Sequence, residues 1–152
     1  MAQHEFKIKF HTYCLDLIQQ KIKELDKAIG DAQESAQSES KSTAGDKHET
    51  AKAMAHLEIE KLLIAKNNLV LQEKVLNDIN PSQQQTRIVK GTLIETSIGK
   101  FYIAIGLGKV NFMNESITVI SEQAPLAKAF LGFHDSQQIS FNNLDYQLIA
   151  IA

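Results

Sequence analysis

Apolar positions fall into two regimes along the 152-residue chain. From about Phe6 to Ser38 they recur at helical spacing: Ile18, Ile22, Leu25, Ile29, Ala32 and Ala36 step alternately by four and three. That is the seam of a coiled coil, with Lys and Glu filling the other positions. Gly30 interrupts it at a cost of up to ~1 kcal/mol relative to alanine. A second helical run extends from about Asp46 to Ile79. There Ala55, Leu62, Leu69 and Leu76 lie seven apart, and Met54, Leu57, Ile64, Leu71 and Val75 widen the apolar face. Asn80-Pro81 ends the run, because proline lacks the N–H and clashes with the preceding turn. Two such helices joined by a short turn form an antiparallel hairpin, each arm roughly 45–50 Å long at ~1.5 Å per residue.

Beyond the polar stretch NPSQQQT the period falls to two. RIVKGTLIET, GKFYIAIG, KVNF, SITVIS, QQISF and YQLIAI read as short strands. APLAKAFLGF reads as one short helix, with Pro125 at its start and Gly132 at its end. The fold class expected is α+β, a long N-terminal antiparallel coiled-coil hairpin followed by a small α+β domain. The expected boundaries are 1–79 for the hairpin, with its tip at about 38–49, then 80–86 for a linker and 87–152 for the second domain.

Composition and charge narrow the function. Hydrophobic residues make up 43% and the net charge is −2, as in a foldable, soluble protein. There is no basic excess to drive nucleic-acid binding by phosphate neutralisation. No apolar run reaches the ~18–20 residues that span a bilayer, and MAQHEFKIKF lacks the apolar core of a signal peptide. Cys14 is the one cysteine, so no internal disulfide forms. A cytoplasmic protein without membrane partners is the expectation. Cys14 reads as a small buried hydrophobe, and the five histidines show no metal-ligand spacing. GLGK, at 106–109, lacks the spacing of a phosphate loop and reads as a hairpin turn. Lys90, Lys100, Lys109 and Lys128 read as solvated charges.

A long hairpin stabilises its own domain poorly, so its length points to reach and to a working tip. That tip runs from Ser38 through Glu39, Ser40, Lys41, Ser42, Thr43, Ala44 and Gly45 to Asp46, Lys47, His48 and Glu49. Gly45 permits a tight turn. Asp46 and Glu49, three apart, share one side of the first helical turn. The same pair suits a helix start, where aspartate caps, a later glutamate completes a capping box, and both favour the positive end of the helix dipole. The two roles are compatible.

Gly45-Asp46-Lys47-His48-Glu49-Thr50-Ala51 resembles the coiled-coil tip of the bacterial transcript cleavage factors, the Gre family, which reads Gly-Asp-x-x-Glu-Asn-Ala. SEQAPLAKAFLGFHDSQQISF, at 121–141, is similar to a C-terminal segment of that family through Pro125, Leu126, Ala129, Leu131 and Gly132. Ser136 and Gln137 replace its later Gly-Asp pair, Thr50 replaces its tip asparagine, and Lys52, Ala53 and Met54 stand where an aromatic is usual. The resemblance implies an FKBP-like C-terminal domain that docks on RNA polymerase and a coiled coil that enters the secondary channel. Asp46 and Glu49 would there help hold an Mg²⁺ shared with the polymerase, which cuts the backtracked RNA 3′ end. It implies a monomer with no cofactor or activity of its own. Family members with altered tips imply an alternative, a polymerase-binding regulator that does not promote cleavage, and the long hairpin also suits another coiled-coil interaction protein.

Overall fold

The computed structural model describes residues 2–40 and 45–152, leaving aside the side chains of 2, 38–40 and 45–48. Among these residues the chain forms three helices and six strands. In order they are α1 (Ala2–Ser40), α2 (Gly45–Asp78), β1 (Leu93–Thr96), β2 (Lys100–Ala104), β3 (Gly108–Phe112), β4 (Glu115–Ser121), α3 (Pro125–Phe130), β5 (Gln138–Phe141) and β6 (Leu144–Ile151). This is the α+β class read from the periodicity, with two long helices preceding a sheet. The chain divides into two compact units, 16–74 and the combination of 1–15 with 75–152.

In the helical unit the seam buries as its spacing dictates. Ile18 and Ile29 are buried, and Ile22, Leu25, Ala32 and Ala36 are half-buried. On α2 within this unit the half-buried positions are Ala51, Ala55, Ile59, Leu62, Lys66, Leu69, Gln72 and Glu73. Lys66 and Asp26 form an ion pair at 2.6 Å, and Gln19 and Ile22 share a groove with Glu73. Contacts therefore move down α2 as they move up α1, the mark of an antiparallel pair. The broader apolar face of α2 differs from the sequence reading. Met54, Leu57, Ile64 and Leu71 are 65%, 60%, 61% and 54% exposed. One neighbouring helix covers only one stripe of α2, and these residues lie beyond it.

In the other unit the strands form one sheet in the order β3-β4-β2-β1-β6-β5. Neighbours are antiparallel except β2 and β4, which run parallel with Tyr102 opposite Val119. GLGK is accordingly no hairpin turn: β3 lies beyond β4, and the segment carries the chain past the place β4 fills. The two-residue turns Met113-Asn114 and Asn142-Asn143 close the β3–β4 and β5–β6 hairpins, all four residues having positive φ, as primed turns require. The core on one face joins Ile88, Ile94, Phe101, Ile103, Ala127, Phe130, Ile139, Tyr146 and Leu148. Alternation along β2 sends Tyr102 to the opposite face, where Phe10 of α1 meets it edge-on at 5.7 Å.

Candidate functional site

The candidate site is the place in the chain where α1 ends and α2 begins. Helix α1 ends at Ser40 and α2 starts at Gly45. Lys41, Ser42, Thr43 and Ala44 lie outside the described residues, as do the side chains of Ser38, Glu39, Ser40, Asp46, Lys47 and His48. The helical backbone from Gly45 onward puts Asp46 at the second helical position, two residues past the N-cap position. Residues three apart on a helix stand on one side, so the backbone brings positions 46 and 49 to a common side of α2. Glu49 and Thr50 are exposed. Two carboxylates there suit a hard cation such as Mg²⁺, which takes one or two protein carboxylates and fills its other positions elsewhere. Among the described residues no group of three or more His, Cys, Asp or Glu side chains is placed to hold a metal ion.

The second motif lies on α3. Pro125 is the first residue of that helix, where its missing N–H costs nothing. Ala127 and Phe130 are buried, and Leu126, Ala129 and Leu131 pack against the core they join. Gly132 takes φ +87°, and its N–H donates to the Ile88 carbonyl at 2.9 Å. In turn the Ile88 N–H donates to the Phe133 carbonyl at 2.8 Å, tying the end of α3 to the strand-side segment. Every matched residue of this motif thus has a structural task.

Sequence reading missed a buried polar group at the start of α1. Lys7 is fully buried, and its ammonium donates to the carbonyls of Gln83 at 2.8 Å and Gly91 at 3.1 Å. Burial lowers its pKa to about 8. His11 is 5% exposed, with Nδ1 2.7 Å from the Tyr102 hydroxyl. Burial pushes its pKa down; a hydrogen bond to the Leu76 backbone works against this, and the charge of Lys7 adds to it. Cys14 is fully buried, and burial pushes its thiol up to about 12. It is inert packing, not a nucleophile. Residues 7, 11, 14 and 18 step by four, three and four, so the seam extended back from Ile18 lands on this group. That was the available signal. Lys100 is also more than a solvated charge. It pairs with Glu115 at 2.8 Å and sits 5.4 Å from the Phe6 ring centroid, on an open pocket of about 230 Å³.

No protein-family model matches this chain, and no curated protein does. Among solved structures it is similar to one described as "Structure of the transcription factor Gfh1", at 15% sequence identity and a TM-score of 0.36. The similarity covers 90% of this chain and 92% of that one.

Proposed function

We propose that this chain is a Gre-like transcription elongation factor that binds RNA polymerase and delivers the turn between α1 and α2 to the polymerase active site. One observation carries the reading: Gly45-Asp46-x-x-Glu49 stands at the start of α2, where helices of 39 and 34 residues meet. Glu49 there is exposed and serves no core. An acidic pair at that place in the chain suits a site on another molecule.

In this reading Asp46 and Glu49 each lend carboxylate oxygens to an Mg²⁺ held mainly by the polymerase. The ion supplies an activated water and charge stabilisation on the leaving oxygen. The chain's own part is to carry the two acids, to fix their spacing through one helical turn, and to fill the channel. Two carboxylates alone hold Mg²⁺ weakly, so the isolated protein has no nuclease activity. The sheet unit, through its FKBP-like fold, is the docking body, and the work is cytoplasmic.

A second reading is favoured by the tip itself. Lys47 and His48 stand between the acids and Thr50 replaces the amide, which suits a regulator that enters the channel without promoting cleavage. Binding separates both readings from an unrelated role. The protein should co-elute with purified core RNA polymerase, and Asp46→Ala/Glu49→Ala should co-elute as well. No complex with the wild type at micromolar concentrations sinks the proposal.

A further inference from the structure

The two helices of the hairpin have unlike backs. On α2, Ala55, Leu62 and Leu69 are half-buried on the seam. Leu57, Ile64 and Leu71 each follow one of them by two residues, about 200° further round the helix, and are more than half exposed. Recurring every seven residues, they keep to one line about 21 Å long that drifts only about 20° per repeat. Leu63 and Val70, also exposed, widen it on one flank. On α1 the same offset from Ile18, Ile22, Leu25, Ile29 and Ala32 gives Gln20, Glu24, Lys27, Asp31 and Glu34, all exposed and polar. Among the described residues, no large apolar side chain of α1 is exposed.

The size and chemistry of the line select what covers it. With its flank it presents roughly 400–500 Å² of apolar surface, the upper range of what a monomer leaves in water. That is about half of the ~800 Å² that each partner gives to a standard interface. By itself it would hold two free proteins together poorly. It suffices as a second contact for an arm whose protein is already docked, because linkage makes the second event intramolecular. None of the five residues carries charge, so the line suits an apolar protein surface and not RNA, whose phosphates call for cations.

We propose that the Leu57, Ile64 and Leu71 line seats on an apolar protein wall of the channel through which the hairpin reaches, with the polar back of α1 turned toward water. The inference rests on the RNA polymerase reading and adds to it the side by which the hairpin is held. Seating on one side fixes the rotation of the hairpin about its long axis, and with it the direction in which the start of α2 faces.

Titration of core RNA polymerase with the full-length protein tests it. The forms compared are the wild type, Leu57→Gln/Ile64→Gln/Leu71→Gln, and the control Gln20→Ala/Lys27→Ala/Glu34→Ala on the back of α1. Every changed position is exposed and the new residues favour helix, so circular dichroism should show both variants folded. The Leu57/Ile64/Leu71 variant should bind roughly 10–100-fold more weakly than the wild type, and the control within about twofold of it. A benzophenone attached at Ile64→Cys should cross-link to the polymerase, and one at Lys27→Cys far less; Cys14 is buried and stays unlabelled. Equal binding by wild type and the Leu57/Ile64/Leu71 variant, or equal cross-linking from the two cysteines, overturns this inference and leaves the RNA polymerase proposal standing. Self-association of the wild type that this variant loses assigns the line to a second copy and overturns it as well. No binding by the wild type overturns both.

Discussion

His11 on the first helix and Tyr102 on the second strand meet through a 2.7 Å hydrogen bond with both side chains buried. The Tyr102 hydroxyl is the side-chain partner of His11 Nδ1 in either tautomer. Removing that hydroxyl leaves a buried ring nitrogen without its partner. Tyr102→Phe should cost about 1–3 kcal/mol, read as a lower urea midpoint with unchanged slope.

The same residue sets an acid limit. The folded pKa of His11 lies below 6.5 and the unfolded value near it, so between the two only the unfolded chain is protonated. Stability contributed by neutral His11 is complete above about pH 6.5 and falls on acidification through that window. His11→Gln should flatten the fall. An identical pH profile in the variant would remove His11 as its source.

Lys7 acts at the other end of the scale. Its folded pKa of about 8 lies under the ordinary 10.5, so between these values the unfolded chain holds a proton that the folded one has lost. Stability should therefore rise as pH goes from about 8 to 10.5, once other alkaline titrations are subtracted by comparison with Lys7→Met. Wild type and variant with parallel curves over that range would contradict the assignment.

Two glycines should respond in opposite directions to alanine. Gly91 has φ +92°, and a Cβ there would come 3.0 Å from Ile79 Cγ2, in a segment whose carbonyl accepts from Lys7. Gly91→Ala should destabilise by about 1–3 kcal/mol. Gly30 is exposed in mid-helix with open space around its Cβ position, and Gly30→Ala should stabilise by up to ~1 kcal/mol. Thermal melts of both variants give the comparison.

Much of this architecture was legible because period is a local property. Ile18 to Ala36 announced their seam, and Pro125 and Gly132 bracketed α3. Strand existence followed from alternation, although the segment from Arg87 to Thr92 was read as strand and supplies only turns and the buried anchor Ile88. The parallel pairing of β2 with β4 was not legible, because it depends on contacts remote in sequence. Lys7 and His11 carried no motif that marked them; they are buried because the sheet face carrying Tyr102 packs on that side of α1. Leu57, Ile64 and Leu71 looked like core because residue type cannot tell which of two apolar stripes a single neighbouring helix will cover. At the tip, Asp46 and Glu49 were found through spacing and motif alone.

Transcript shortening in a stalled, backtracked elongation complex tests the central claim most directly. Wild-type protein and the Asp46→Ala/Glu49→Ala variant are compared with the cognate polymerase, Mg²⁺ and a labelled RNA. The account predicts that the wild type speeds cleavage of the RNA 3′ end at least tenfold while the variant binds and does not. A wild type that binds the polymerase and leaves cleavage unchanged would contradict a working role for the two acids and leave the hairpin as a plug.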